Sequence, residues 1–239
     1  MKIALIGYGK MGKTIESLAI EKGHQIVLKI QRENAHELTP AHLAQADVCI
    51  EFSSPNAAFH LVSACLNAGK PTVCGTTAWL DQLDEAKTLA LNNNTAFLYA
   101  SNFSLGVNLF FEINRFVSKL LSKYPQYHVT MEEIHHTQKK DAPSGTAVTL
   151  AEDILREHPT KTCWVNAESI QPEALVIRSL REDPAPGTHS IAWESNIDSI
   201  EIKHTAHSRT GFAAGALMAA EFLVDKKGIF TMNDVLNPS

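Results

Sequence analysis

Cysteine is scarce in this chain and is not spaced for chemistry. The four cysteines, Cys49, Cys65, Cys74 and Cys163, form no C-x-x-C pair, so neither a zinc ribbon nor a redox dithiol is encoded. Cys49 and Cys74 fall in apolar, strand-like runs, as buried thiols of a reducing compartment do. Positive charge is not in excess either. Lys and Arg number 21 against 26 Asp and Glu, a net charge of −5, which argues against non-specific nucleic-acid binding. Any anionic ligand must then be held by a local cluster of cations. Long hydrophobic runs are missing: the longest, Phe212 to Ala220, stops at Glu221 and is too short to span a bilayer. Lys2–Ile6 is too short for the core of a signal peptide. There is no internal repeat and no low-complexity segment. These absences lead us to expect a soluble, cytoplasmic protein with neither a membrane nor a nucleic-acid partner. What remains is ordinary and sufficient. The 239 residues are 44% hydrophobic and 20% charged, enough to build the core of one large or two modest domains.

Residues 2–6 read as a buried strand, followed by Gly7-Tyr8-Gly9-Lys10-Met11-Gly12. Met11, Ile15, Leu18 and Ala19 continue at helical spacing, Gly23 is placed to stop that helix, and Ile26–Ile30 is the next strand. A G-x-G-x-x-G between a strand and a helix is a dinucleotide fingerprint. Its glycines serve a tight turn at Gly7, close approach of a pyrophosphate at Gly9 and helix–strand packing at Gly12. At the end of the second strand, an acidic residue binds ribose hydroxyls and an arginine accommodates a 2′-phosphate. Here the order is Gln31-Arg32-Glu33. We therefore expect NADPH to serve at least as well as NADH, with Arg32 against the 2′-phosphate.

The alternation continues. Strands are expected at Asp47–Phe52, Pro71–Cys74 and Ala96–Ala100, with helices over 56–69 and 79–92. Such a pattern predicts a Rossmann-type, doubly wound parallel sheet. Ligands of that fold sit beyond the carboxyl ends of the strands. That places Phe52-Ser53-Ser54, Gly75-Thr76-Thr77 and Ala100-Ser101-Asn102 around the nicotinamide.

The pattern then changes to a long apolar helix over 105–122 and a strand from Tyr127 to Ile134. A helix over 146–157 follows, then strand-like runs at Thr162–Val165, Ala174–Leu180, His189–Trp193 and Ile197–His204. These describe a second α+β domain with a mixed sheet. Gly211–Val224 reads as an apolar helix whose Gly211-x-x-x-Gly215 pair marks close packing against the sheet. Gly228-Ile229-Phe230 reads as the start of a short tail.

The densest chemistry lies in the middle of the chain. Glu132 to Ala147 reads EEIHHTQKKDAPSGTA, placing two imidazoles, two ammonium groups and a carboxylate within His135–Asp141. Pro143 suits a helix start, where its missing N–H costs little. The Ser144-Gly145-Thr146 amides then sit at a helix N-terminus, where unpaired N–H groups and the dipole attract an anion. Clustered cations repel one another unless an anion joins them. A small carboxylated substrate that must be protonated fits this arrangement. Adjacent His135-His136 lack the usual ligand spacing and no cysteine is near, so no metal is expected.

These residues resemble the dihydrodipicolinate reductases, also called 4-hydroxy-tetrahydrodipicolinate reductases. The likeness rests on His135-His136-Thr137-Gln138-Lys139-Lys140-Asp141-Ala142-Pro143-Ser144-Gly145-Thr146-Ala147. It is supported by Gly75-Thr76-Thr77, Asn102-Phe103-Ser104, Arg181 with Gly187 and His189, and Arg209 before Phe212-Ala213-x-Gly215-Ala216. The resemblance implies NAD(P)H-dependent reduction of a cyclic imine dicarboxylate to tetrahydrodipicolinate in lysine and diaminopimelate synthesis. It implies His135 as general acid, Lys139 as second catalytic residue, and His136, Lys140, Ser144, Gly145 and Thr146 at the carboxylates. It also implies a cofactor domain of residues 1–104 and 210–239 and a substrate-binding and oligomerisation domain of residues 105–209. Hinges are expected near Asn102–Ser104 and Arg209–Gly211, and a homotetramer built through the second sheet. The cofactor, NADPH or NADH, should then meet Gly7 to Gly12, Arg32, Phe52, Gly75, Thr76, Thr77, Ala100, Ser101, Asn102 and Phe103. Two rival readings are another two-domain Rossmann enzyme, such as an amino-acid dehydrogenase, and a non-catalytic dinucleotide sensor.

Overall fold

The computed structural model describes residues 1–208 and 210–237. Arg209, which helps carry the resemblance and one expected hinge, lies outside the described residues, as do Pro238 and Ser239. The chain separates into two compact units, Met1–Leu105 with Thr210–Ser239, and Gly106–Arg209. In chain order the first part runs β1 (Lys2–Ile6), α1 (Lys10–Glu21), β2 (Gln25–Ile30), α2 (Pro40–Leu43), β3 (Val48–Glu51), α3 (Pro55–Asn67), β4 (Thr72–Cys74), α4 (Leu83–Asn92) and β5 (Ala96–Tyr99). There follow α5 (Leu105–Leu121), β6 (His128–His135), α6 (Gly145–Glu157), β7 (Cys163–Val165), β8 (Ala174–Arg181), β9 (Thr188–Glu194) and β10 (Ser199–Thr205). The chain ends with α7 (Thr210–Leu223), β11 (Gly228–Phe230) and α8 (Met232–Leu236).

The first unit holds a six-stranded parallel sheet in the order β11-β5-β4-β3-β1-β2. Strand β1 shows why its sequence is apolar without alternation. Ile3 and Leu5 join a core with Ile15 and Ala19 of α1 and Ala213, Ala216, Leu217 and Ala220 of α7. Ala4 and Ile6 join another core, with Leu28, Ile30, Cys49 and Cys65. A strand covered on both faces needs apolar residues at every position. The strand order reverses between β1 and β3, which makes their carboxyl ends the switch point where ligands of such sheets bind.

The doubly wound expectation holds, with two corrections. Residues 228–230 are not a tail but the sixth strand: β11 pairs in parallel with β5, Gly228 opposite Ala96 and Phe230 opposite Leu98. Helix α8 then starts at a capping box of Thr231 and Asp234. Of the glycine pair in α7, only Gly215 marks a close approach. A Cβ there would come within 1.7 Å of the Phe103 carbonyl oxygen, whereas at Gly211 the nearest atom is Ser104 Oγ at 3.7 Å. The contact is with the turn after β5, not with a strand.

The second unit is a five-stranded mixed sheet in the order β10-β9-β6-β8-β7. Strands β6, β8 and β7 run parallel, while β9 is antiparallel to both β6 and β10. Its core joins Phe110 and Leu121 of α5 and Leu150, Ala151 and Ile154 of α6 to Val129, Met131, Leu175, Ile177, Ile191 and Trp193 of the sheet. One face is thus covered by helices. Along β6 the covered face carries Val129, Met131, Glu133 and His135, all buried. The strand's inner face turns from apolar to polar within its last three residues.

Candidate active site

In the first unit the glycine turn is built as its spacing implies. Gly7 has φ +96°, and a Cβ there would lie 2.0 Å from the Phe52 carbonyl oxygen. A Cβ at Gly12 would meet the Gly7 carbonyl oxygen at 2.6 Å. Gly9 is the N-cap of α1 with no side-chain cap, and no atom lies within 4 Å of its missing Cβ. Helix α1 therefore opens with backbone amides that no side chain caps, beside space kept clear by glycine. A pyrophosphate fits such a cradle. Lys10 is exposed and Met11 half-buried. Tyr8 is turned into a local cluster: its hydroxyl donates to Glu16, Glu16 pairs with Lys29 at 2.6 Å, and Lys29 Nζ lies 5.0 Å from the Tyr8 ring centroid. Arg32 is exposed just beyond β2, next to Gln31, whose amide donates to Asn34 Oδ1 at 2.7 Å.

The ends of β3, β4 and β5 bring the other expected cofactor residues together. The Phe52 ring lies over Gly75, where a Cβ would be 2.1 Å from the ring, and meets Phe103 edge-on at 5.6 Å. Thr77 and Ser101 are exposed, Ala100 and Asn102 half-buried. Asn102 Oδ1 accepts from the Ser104 amide at 2.9 Å. Thr76 is different. It is buried, and its hydroxyl donates to Glu51 at 2.9 Å while accepting from the Ser53 amide at 2.8 Å. Glu51, in the sequence only one residue of an apolar strand, is fully buried and also receives Ser53 Oγ and Cys74 Sγ. Burial raises its pKa, and these donors oppose the rise. Glu51 thus ties the turns after β3 and β4 to each other.

In the second unit the site gathers at the carboxyl end of β6. Glu133 is 0% exposed. Its carboxylate accepts from the Ser144 amide at 3.1 Å and the Ser179 hydroxyl at 2.8 Å. Around it stand His135 Nδ1 at 3.5 Å, His189 Nε2 at 3.6 Å and an Arg181 nitrogen at 3.6 Å. Burial would raise the carboxyl pKa. The adjacent His189 imidazole and the hydrogen bonds from Ser144 and Ser179 outweigh that and hold it well below the usual range. The two imidazoles meet edge-on, centroids 5.1 Å apart. His135 is 7% exposed, and its Nδ1 is enclosed without a hydrogen-bond partner. Its Nε2 faces Gly187, where a Cβ would come within 3.2 Å. Burial lowers the pKa of His135 to about 4; Glu133 opposes the fall, and His189, Lys139 and Arg181 add to it.

The loop that follows carries the cations. Lys139 Nζ is 2.8 Å from both carboxylate oxygens of Asp141. Arg181 donates to the backbone carbonyls of Lys139 at 3.3 Å and Asp141 at 2.6 Å, pinning the loop to the end of β8. Thr137 donates twice to Asp183, at 3.2 and 2.5 Å. His136 is half-buried; Lys140 and Gly145 are exposed, and Thr146 is half-buried. Ser144 caps α6: its hydroxyl accepts from the Ala147 amide at 3.2 Å and meets His189 Nε2 at 3.1 Å. Pro143 lies one residue before the cap, outside the helix, so its missing N–H removes no helical donor. The Ser144 amide is already taken by Glu133, so the turn offers an anion less than its sequence implied.

Sequence reasoning singles out His135 and Lys139 and gives Glu133 no role. The signal is there: counting by twos from Val129 puts Glu133 and His135 on the same inner face. Among the described residues, Glu133, His135 and His189 also form the one group whose ligand atoms, all within 4.8 Å of one another, could hold a metal ion. A cation entering it would meet Arg181 and compete with the Ser144 and Ser179 donors for the one carboxylate.

Comparison with known proteins bears on both units. The family model described as dihydrodipicolinate reductase, N-terminus, matches residues 1–103, and that described as dihydrodipicolinate reductase, C-terminus, matches residues 106–236. A 4-hydroxy-tetrahydrodipicolinate reductase of Christiangramia forsetii is 48% identical over 238 residues, covering 99% of this chain and 98% of the relative. The enzyme of that name from Staphylococcus aureus is 35% identical, covering 98% and 100%. Among solved structures, a dipicolinate-bound dihydrodipicolinate reductase from Paenisporosarcina sp. TG-14 superposes with a TM-score of 0.76 at 22% identity, covering 98% of each chain. An amine dehydrogenase from Mycobacterium smegmatis reaches 0.61 at 10% identity, covering 98% of this chain and 95% of its own. At such identities these two structures speak for the fold alone.

Proposed function

The chain belongs to the dihydrodipicolinate reductase family, and from that premise we propose which of its residues carry the reaction and how. It is an NAD(P)H-dependent oxidoreductase that reduces 4-hydroxy-tetrahydrodipicolinate to tetrahydrodipicolinate in lysine and diaminopimelate biosynthesis. In the proposed division of labour, residues 1–104 with 210–239 bind the dinucleotide and residues 105–209 bind the substrate. Gly7, Gly9 and Gly12 make room for the pyrophosphate at the start of α1, with Tyr8, Lys10 and Met11 beside it. Arg32 meets a 2′-phosphate. Phe52, Gly75, Thr76, Thr77, Ala100, Ser101, Asn102 and Phe103 border the nicotinamide end. The bound cofactor supplies the hydride.

His135 is the general acid and Lys139 the second catalytic residue. His136, Lys140 and the Ser144-Gly145-Thr146 turn hold the ring carboxylates. The cations fix the ring's orientation, which lowers the barrier by pre-paid positioning. The 4-hydroxyl leaves as water to give the conjugated cyclic imine; after hydride has added to that ring, the resulting enamine must gain a proton, and a neighbouring imidazolium or ammonium provides it. Glu133, His135 and His189 take no metal in this reading, because the carboxylate they share is engaged by Ser144, Ser179 and Arg181. The observation that carries the assignment is the pairing of His135 and His189 over one buried carboxylate, with Lys139 and the α6 N-terminus beside it. The test is NADPH oxidation with the product of dihydrodipicolinate synthase. His135→Gln and Lys139→Met should each lower kcat by about 100-fold or more. Turnover surviving both changes would overturn the assignment.

The reading includes a homotetramer built through the open face of the second sheet. In support, that face carries the small or apolar Thr130, Val176, Ser190 and Ala192, set among Glu132, Arg178, Glu194 and Glu201, whose opposite charges can pair between copies. It also includes a cytoplasmic location, which the four free thiols support. Among the described residues no helix is long and apolar enough to cross a membrane.

A further inference from the structure

Glu133 lies on the side of His135 away from Nε2, and no step of the proposed reaction uses it. Its surroundings are specific. One carboxylate, 0% exposed, faces two imidazoles, a guanidinium, an amide and a hydroxyl. The groups facing His135 are Glu133 on its own strand, His189 on β9, Arg181 at the end of β8 and Lys139 on the loop after β6.

We infer that Glu133 is a positioning residue for the proton transfer: it takes the Nδ1–H of His135, so that the proton delivered to the substrate is the one on Nε2. This role rests on His135 being the acid. Nδ1 is enclosed with no hydrogen bond formed, and a Glu133 carboxylate oxygen stands 3.5 Å from it, near enough to accept its proton after a small adjustment, while Nε2 faces Gly187. Charge counting adds a second step. Glu133 faces Arg181, and Lys139 faces Asp141, so the resting site holds two matched pairs and two imidazoles. Burial keeps His135 neutral at physiological pH. A bound dicarboxylate brings two negative charges, and a neighbouring anion favours the protonated ring. His135 therefore gains a proton at Nε2 when substrate binds. In the chemical step the Nε2–H bond breaks, the proton joins the reduced ring, and His135 returns to the Nδ1–H form still held by Glu133.

Two experiments decide between this role and a purely structural one. In the unaltered protein with ¹⁵N-labelled histidine, His135 (assigned by its loss in His135→Gln) should show a protonated Nδ1 and a bare Nε2 at pH 7.5. With saturating pyridine-2,6-dicarboxylate both nitrogens should be protonated. An Nε2–H tautomer in the free protein, or no proton gained on binding, overturns the inference. In steady-state kinetics, Glu133→Gln should lower kcat by about 100-fold while KM for the substrate moves less than about fivefold. The basic limb of its kcat–pH profile should shift acidward by about one unit, because the charge that favours the imidazolium is gone. A purely structural role would not move that limb. Unchanged kcat and limb in Glu133→Gln, with His135→Gln inactive, refutes the role of Glu133 and leaves the acid assignment standing. An active His135→Gln refutes the acid assignment itself. Should Glu133→Gln fail to fold, the nitrogen spectra of the unaltered protein decide the question by themselves.

Discussion

His135 shows how one residue couples the site to stability. Its pKa is lowered to about 4 in the folded protein, against about 6.5 for an unperturbed histidine. Between those values the unfolded chain binds a proton that the folded chain refuses, so stability rises with pH across the window. The full contribution is present above about pH 6.5 and is lost as pH falls toward 4, an effect of about 3 kcal/mol at most. The Tm of the protein should therefore fall between pH 7 and 4, and His135→Gln should flatten that dependence; parallel curves for the two proteins would contradict it. Arg32 carries the other residue-scale prediction. Arg32→Ala should raise KM for NADPH severalfold and leave KM for NADH within about twofold, as loss of a single charge-assisted contact to a 2′-phosphate requires; equal changes for both cofactors would remove Arg32 from that role. The cationic cluster was legible in the sequence because His135, His136, Lys139 and Lys140 sit close together along the chain. Glu133 and Glu51 were not. Each is a carboxylate inside a strand, and its importance comes from residues on other strands or the turns that follow them, Ser179 and His189 for one, Thr76 and Cys74 for the other.

At the scale of elements, local signals succeeded where a boundary has a side-chain cause. Ser144 is the cap of α6, and Ser144→Ala should cost about 1 kcal/mol, lowering Tm by about 2–4 °C. Calorimetry that finds no change would show the cap to be idle. The glycine turn was legible for the same reason: Gly7 and Gly12 are fixed by steric approaches that no other residue survives. Strand β11 was missed because three residues beginning with glycine carry no period. What makes Gly228–Phe230 a strand is the unpaired edge of β5, more than a hundred residues earlier in the chain. The Gly211/Gly215 pair shows the limit from the other side. Its spacing is symmetrical, yet only Gly215 meets the Phe103 carbonyl oxygen, because that depends on where the turn after β5 passes.

At the scale of the molecule, the alternation of strands and helices over the first hundred residues was enough to predict a doubly wound sheet, and the change of pattern near residue 105 to predict a second unit. The mixed order β10-β9-β6-β8-β7 was not readable, because the pairing of β6 between β8 and β9 is set by tertiary packing and not by chain sequence. Light scattering on the purified protein should return about four times the chain mass of 26.2 kDa if the open face of that sheet joins copies to one another. A monomer mass at micromolar concentration would refute the assembly.

The first unit is closed by its own last segment. Helix α7 supplies Ala213, Ala216, Leu217 and Ala220 to the core under β1, β3 and β4, and β11 completes the sheet. During synthesis the ribosome therefore releases a nucleotide-fold half that stays open until residues 210–230 emerge. The inserted unit, encoded between the two pieces, can finish first. Nascent chains stalled before Thr210 would display bare apolar sheet and an unpaired β5 edge, the kind of surface that chaperones recognise and that aggregation exploits.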